Sequence, residues 1–331
     1  MRNNLFVLGA QQINHILAGK EQEIMEIVKN AYLLHKQGET VLPHSMFLRF
    51  PDDERNRIIG LPAYIGGSYQ IAGMKWISSF PGNIEKHIER ASAAIFLNEM
   101  STGRTKAVLE GSIISAKRTA ASAAIAAQYL HANKKEESIG FAGCGRINKE
   151  VLLFLKCIFP NIKKIYLFDL VKERMKDFIS WYRDENYEFE PCSNIEELFS
   201  NTKLISFATT AGEPFIEEIR ALTTEHTILG ISLRDFAPSV IDKVHNIVDD
   251  YAHVCRERTS IHLTYQTLHT NDFVAGSIAD VVSHTVRARN PAKAALYSPF
   301  GLGILDIALA SYVYEAALHD NLGTVIEDFS P

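Results

Sequence analysis

A chain of 331 residues, 47% of them hydrophobic, is long enough to bury a sizeable core and by its length divides into two domains. Its formal net charge of −5 comes from both signs spread along the sequence, which argues against a nucleic-acid polyanion as the main partner and leaves room for basic residues gathered in one pocket. Four cysteines without Cys-x-x-Cys spacing (Cys144, Cys157, Cys192, Cys255), twelve histidines without metal spacing and no apolar run of membrane-spanning length point to reduced thiols, no metal, no membrane and a cytoplasmic protein. The apolar stretch behind Met1 is too short for a signal peptide.

Leu5 to Leu8 reads as a short edge strand, and helical spacing follows from Gln11 to a stop at Gly38, with Ile13, Ile16, Leu17, Ile24, Ile27, Val28, Ala31 and Leu34 on one stripe. From Val41 to Ile77 the texture changes to short β-like runs, Ser45 to Phe50, Arg57 to Leu61 and Gln70 to Ser78. Pro43, Pro51, Pro62, Gly66, Gly67 and Gly73 punctuate them, as in an antiparallel sheet. Strands Ala93 to Asn98 and Thr105 to Glu110 complete an α+β unit, and the Ala-rich helix Ile113 to His131 leads onward.

The stretch Ser138 to Val151 is an apolar strand that breaks at Gly143-Cys144-Gly145 and turns straight into a helix. Such a turn aims free backbone N–H groups and a positive helix end at one point, where a pyrophosphate would sit. A second buried strand ends at Asp169, where a carboxylate would bind the ribose hydroxyls of NAD and repel the extra phosphate of NADP. The third small position of the G-x-G-x-x-G/A pattern is Asn148, a larger and polar residue. Beyond it come a helix (Lys172 to Tyr182), a strand near Glu188, a helix around Ile195 to Phe199, and a strand Leu204 to Ala208 that ends in Thr209-Thr210. The strand Thr227 to Ile231 precedes Ser232-Leu-Arg-Asp235, with Asp242 to Val248 and a helix Ser277 to Val286 after it, an alternation that predicts a mostly parallel sheet with helices on both faces. A turn at Tyr297 to Gly303 and a long amphipathic helix, Ile304 to His319, return to the first domain.

Taken together, Lys75, Arg118, Gly143 and Asp235 make a resemblance specific. Arg57 to Gly67, Gly73 to Ile77, Glu89 to Ser92, Ser115 to Ala121, the Gly-Cys-Gly turn and Pro299 to Asp306 stand in the order of the ornithine cyclodeaminase/mu-crystallin family, across nearly the whole chain. The sequence is similar to that family, most of all to members that oxidise the secondary amine of an N-linked glutamate conjugate. The resemblance implies an α/β fold: a Rossmann-type dinucleotide-binding domain (121–295) inserted into an α+β substrate-binding and dimerisation domain (1–120 plus 296–331). It also implies a homodimer, NAD as cofactor and a small amino-acid conjugate as substrate. By position in the family, Arg49, Lys75 and Arg118 hold the substrate carboxylate and Asp235 is catalytic. Arg57 and Arg90 join the substrate set because such a conjugate carries three carboxylates. Candidate cofactor contacts are Gly143, Gly145, Arg146, Ile147, Asp169, Thr119, Thr209 and Thr210. Ornithine cyclodeaminases carry a Glu where this chain has Ile59, which weakens that reading; reduction of a cyclic imino acid and ligand binding without turnover stand as the other readings.

Removing a hydride from a carbon that bears an amine requires a free nitrogen lone pair, so a base must first take the ammonium proton. Asp235 is the candidate, and Lys75 can share the role if Arg49 and Arg118 depress its pKa. Read one at a time, the residues have plainer explanations. Arg49 and Arg57 suit a solvated strand region, Arg118 the surface of an Ala-rich helix, and Asp235 a turn cap before Pro238. Lys75, between Met74 and Trp76 in an apolar strand, is the exception, because an inward charge needs a partner.

Overall fold

Residues 4–86 and 88–330 are described by a computed structural model and fall into two units, one running to Arg118 and resumed from Leu302, the other Thr119–Gly301. The first opens with strand β1 (Leu5–Leu8) and two helices, α1 (Ala10–Leu17) and α2 (Glu21–Lys36), where one continuous helix was the expectation. Gly19 separates them at φ 69°, a left-handed backbone that a continuous helix cannot contain. Strands β2 (Thr40–Val41), β3 (Met46–Phe50), β4 (Asp53–Ile65), β5 (Ile71–Ser79), β6 (Ala91–Asn98) and β7 (Thr105–Glu110) build an antiparallel sheet. β4 runs well past the expected Arg57 to Leu61 and contains Pro62 instead of stopping at it. Pro62 falls in the gap between the stretch paired with β3 and the stretch paired with β2, a place where a residue without N–H is tolerated. Helix α3 (Ser112–Leu130) follows, its alanines 120, 121, 123, 124, 126 and 127 all buried.

The second unit carries β8 (Ser138–Ala142), α4 (Arg146–Ile158), β9 (Lys164–Phe168), α5 (Lys172–Trp181), β10 (Glu188–Pro191), α6 (Ile195–Asn201) and β11 (Leu204–Phe207). It continues with β12 (Thr227–Gly230), α7 (Pro238–Ile241), β13 (His245–Val248), α8 (Tyr251–Val254), α9 (Ser260–Leu268), β14 (Val274–Ser277), α10 (Ile278–Val282) and β15 (Ala295–Ser298). The sheet order is β10-β9-β8-β11-β12-β15-β13-β14 and every pair is parallel. β11, β12 and β13 are buried at every residue, as strands covered on both faces must be. The order reverses between β8 and β11, and in such sheets the crevice at the carboxyl ends of the strands flanking the reversal is where a ligand binds. β15, at the start of the expected tail segment 296–331, is an interior strand of this sheet, between β12 and β13, and the unit ends at Gly301.

Helix α11 (Gly303–His319) and strand β16 (Thr324–Ile326) return to the first sheet. β16 pairs antiparallel with β1, which pairs with β7 on its other side, so the expected edge strand is interior and β16 takes the edge. α11 was expected to be amphipathic, yet Gly303 to Ser311 are buried without interruption, the signature of a core helix. It packs on α2, β4, β5 and β6. Gly73 permits the approach: a Cβ there would lie 2.2 Å from Phe96 O and 2.8 Å from Ile307 Cδ1. One consequence is that Asp306, on α11, is driven into the core. Among the described residues no helix is long and apolar enough to cross a membrane.

Candidate active site

The pleat of β5 sends Trp76 outward and Lys75 inward, between Leu61 and Ile95 in register, and Lys75 is only 2% exposed. Its ammonium donates to Asp306 Oδ2 at 2.6 Å and to Ser115 Oγ at 3.2 Å. Asp306 Oδ1 accepts from Arg118 Nε at 3.0 Å, and Arg118 Nη2 donates to Ser115 Oγ at 3.4 Å. Ser115 and Arg118 are three apart on α3 and so share one helix face. Arg118 is therefore buried, against the surface position its helix suggested. Burial, and after it the Arg118 charge, pushes the Lys75 ammonium down to about 8 despite the pull of Asp306. Burial pushes the Asp306 carboxyl up, but the Arg118 and Lys75 charges outweigh it and hold it below the ordinary carboxylate value. Two cations share one carboxylate, and the excess positive charge is one that a ligand carboxylate would neutralise.

Arg49, Arg57 and Arg90 gather further along the same sheet. Arg49 lies opposite Arg57, Arg57 lies opposite Ser79, and Arg90 Nη1 donates to Ser79 Oγ at 2.9 Å. Three guanidinium side chains are thus brought to one end of this sheet face. Ser79 is four residues from Lys75 on β5, hence on the same face and about 13 Å away. The apolar rung between them is Ile59 opposite Ile77.

In the second unit Gly143 has φ 85°, and a Cβ on it would lie 2.6 Å from Ala208 O, so glycine alone fits. Gly145 caps α4 without a side-chain hydrogen bond, and a Cβ there would meet nothing within 4 Å. Open space in front of an uncapped helix end fits a pyrophosphate. Arg146 and Ile147 open α4 at this point. Asp169 reaches back to the turn, its Oδ2 accepting from Cys144 N at 2.8 Å and its Oδ1 from Val171 N at 2.9 Å. The Cys144 thiol is buried and, chiefly for that reason, pushed up to about 12, so it is inert. Thr210 is exposed beyond β11, and Thr119 is half-buried on α3.

Asp235, beyond β12, is fully buried. Its Oδ1 accepts from the Thr209 hydroxyl and its Oδ2 from the Ser232 hydroxyl. Burial raises its carboxyl above the ordinary value, and the two hydroxyls pull it back only in part. Thr209, expected at the cofactor, thus has its hydroxyl on this acid. Sequence reasoning did not single out Ser232, Ser115 or Asp306 as functional. For Asp306 there was a signal: one acid inside the apolar run Gly303 to Ala310. Among the described residues no group of three or more His, Cys, Asp or Glu side chains could hold a metal ion.

A glycine turn at the reversal of a parallel sheet defines a dinucleotide-binding protein, whose separate first unit buries a Lys–Asp–Arg cluster of net positive charge. The chain belongs to the ornithine cyclodeaminase/mu-crystallin family, which matches residues 7–321. N-((2S)-2-amino-2-carboxyethyl)-L-glutamate dehydrogenase of Staphylococcus aureus is 30% identical to it, over 98% of this chain and 99% of its own. Alanine dehydrogenase of Archaeoglobus fulgidus is 27% identical over 93% and 94%. Among solved structures, an archaeal alanine dehydrogenase dimer with bound NAD has a TM-score of 0.86 at 25% identity, covering 98% of this chain and all 100% of that one. The Thermococcus litoralis Δ1-pyrroline-2-carboxylate reductase in complex with NADH and L-proline has the same fold, with a TM-score of 0.89 at 23% identity over 96% and 99%.

Proposed function

We propose that this protein is an NAD-dependent dehydrogenase that oxidises the secondary amine of N-(2-amino-2-carboxyethyl)-glutamate and lets water split the product into 2,3-diaminopropionate and 2-oxoglutarate. The observation that carries the reading is the distribution of cations on one face of the first sheet. Lys75 and Arg118 form a buried pair on Asp306, and Arg49, Arg57 and Arg90 form a second group about 13 Å along the strand. A substrate with three carboxylates at its two ends matches two such groups, whereas alanine or a cyclic imino acid, with one carboxylate, needs only the first. Ile59, in the rung between them, leaves no acid where a cyclodeaminase has its Glu.

NAD, when bound, supplies the acceptor for the hydride. Gly143, Gly145, Arg146 and Ile147 would hold its pyrophosphate and Asp169 its ribose hydroxyls. Asp235 takes the proton from the substrate's secondary ammonium, a task suited to a carboxylate whose proton affinity burial has raised. The glutamate Cα–H bond breaks with its electron pair, the Cα–N bond becomes an imine, and water adds to that carbon. Collapse of the adduct leaves the amine on diaminopropionate and the carbonyl on 2-oxoglutarate, with one NADH and one proton formed per water consumed. Lys75 and Arg118 orient the carboxylate so that the Cα–H is presented correctly.

The same reading assigns a homodimer. Val41, Met46, Leu48 and Trp76, 59, 57, 48 and 38% exposed, lie on the sheet face opposite Lys75, a patch suited to a second copy. The four free cysteines accord with a cytoplasmic setting. The test supplies purified protein with NAD and the conjugate and assays NADH, 2,3-diaminopropionate and 2-oxoglutarate in one tube. All three are expected to rise in equal amounts. Ammonia from ornithine without net NADH, or turnover of pyrroline-2-carboxylate alone, would overturn the substrate assignment.

A further inference from the structure

Asn148 stands at the third small position of the dinucleotide turn, is fully buried, and makes more hydrogen bonds to the surrounding backbone than a small residue could. Its Nδ2 donates to Gly143 O at 2.7 Å and to Ala142 O at 3.1 Å, and lies 3.4 Å from Ser206 O. Its Oδ1 accepts from Ser206 Oγ at 2.7 Å. All of these partners lie at the carboxyl ends of β8 and β11, the two strands between which the sheet order reverses. The carbonyls, which only accept, fix the Nδ2 end of the amide toward them, and the Ser206 hydroxyl, which can do either, donates to Oδ1 and braces it.

The bond to Gly143 O has a reach beyond α4. A peptide group is planar and trans, so the carbonyl of Gly143 and the N–H of Cys144 point in opposite directions from one rigid plate. With the carbonyl held inward on Asn148, the Cys144 N–H faces outward, where it meets Asp169 Oδ2 at 2.8 Å. Gly143, at φ 85°, has no side chain to hold its backbone in that conformation, and its own N–H is tied to Phe168 O at 2.9 Å. We propose that Asn148, braced by Ser206, is a positioning residue for the nicotinamide dinucleotide: through the Gly143–Cys144 peptide it sets both the phosphate turn and the Asp169 carboxylate that selects NAD over NADP. The small residue of the usual pattern achieves close packing by absence of bulk. Here a hydrogen-bonded amide fills the space and anchors the turn.

The inference rests on the dinucleotide reading and not on the choice of substrate, so the experiment uses binding alone. NADH and NADPH are titrated by fluorescence into the full chain, without amino-acid ligand, for the unaltered protein, Asn148→Ala, Asn148→Asp and Ser206→Ala, each with a thermal melt. Asn148→Ala is expected to raise the Kd for NADH at least ten-fold and to shrink the NADH-over-NADPH preference. Asn148→Asp, which keeps the shape but sets a carboxylate against carbonyls, is expected to do worse. Ser206→Ala, the mildest change, is expected to raise the Kd about three-fold with a melt close to that of the unaltered chain, which keeps the test open if the Asn148 variants fold poorly. A role in packing alone would lower the melt and leave the Kd ratio of the two dinucleotides unmoved, and that result overturns the inference. So does a Kd within two-fold for Asn148→Ala and Ser206→Ala. Absence of NADH binding by the unaltered chain would overturn the cofactor reading as well, which separates the two failures.

Discussion

Replacing Asp306 by Asn removes the one negative charge between Lys75 and Arg118 while keeping the shape of the side chain. In the structure the carboxylate meets one cation at 2.6 Å and the other at 3.0 Å, with no solvent exposure. At an effective dielectric near 20 a unit pair at 4 Å is worth about 4 kcal/mol, from which the cost of burying the carboxylate must be subtracted. Breaking such a buried pair by removing one partner costs about 3–5 kcal/mol, because the remaining charges are left uncompensated. In a chain of this size that is a fall in Tm on the order of 10 °C. The pH dependence carries the diagnosis. Lys75 already titrates near 8, and without Asp306 its folded pKa drops further, while the unfolded value stays at 10.5. Between the variant's lower pKa and about 8 the folded variant binds fewer protons than the folded unaltered protein. Its stability deficit therefore narrows as pH rises toward 8 and is constant above that. Thermal melts of both proteins from pH 6 to pH 9 measure the effect. A deficit independent of pH over that range, or no deficit, would refute the assignment of Asp306 as the shared counter-ion.

Three further outcomes are expected. Asp235→Asn should lower kcat by about 10²–10⁴ while leaving NADH affinity within two-fold; in the unaltered protein the acid limb of the rate profile should sit above the ordinary carboxylate value, since the base is lost as pH falls through a raised pKa. Stopped-flow reduction of NAD checks both, and a kcat within ten-fold removes Asp235 from the base role. Arg90→Ala should raise KM for the conjugate by about ten- to a hundred-fold, the worth of one hydrogen bond to a charged group, with kcat little changed; an unchanged KM would detach the Arg49, Arg57 and Arg90 group from the substrate. Asp169→Ser should move the ratio of kcat/KM for NAD and NADP toward NADP, and an unmoved ratio would show that the carboxylate does not face the ribose.

What could be read along the chain was what depends on near neighbours. Gly143 and Gly145 stand out in sequence because a strand that turns at once into a helix needs them, and Asp169 follows because the next strand of such a unit ends beside the turn. The parallel sheet was legible from short, mainly apolar runs such as Leu204 to Phe207, in which Ser206 is the one polar residue. Lys75 was legible as an inward charge from its apolar strand neighbours. Its partner was not, since Asp306 lies 231 residues away and no local pattern joins them. The break at Gly19, an exposed left-handed glycine, was a local signal that the helical periodicity around it masked; the placing of β15 inside the second sheet and the unbroken burial of Gly303 to Ser311 on α11 share the origin of the Lys75–Asp306 pair. Both are decided by which distant surface the segment meets, and periodicity within the segment carries no record of that.

The interruption of the first unit by the second also sets an order on the ribosome. Residues 119–301 form an unbroken stretch that can collapse as soon as it emerges, whereas the first sheet must wait for the helix that closes its core. At about 5–20 residues per second, the 231 residues between Lys75 and Asp306 take on the order of 10–50 s to synthesise. For that interval Lys75, and for the last 188 residues of it Arg118 as well, has yet to meet the carboxylate it pairs with in the folded unit. The last helix to be made thus brings to the first unit both the apolar surface and the charge that its core contains.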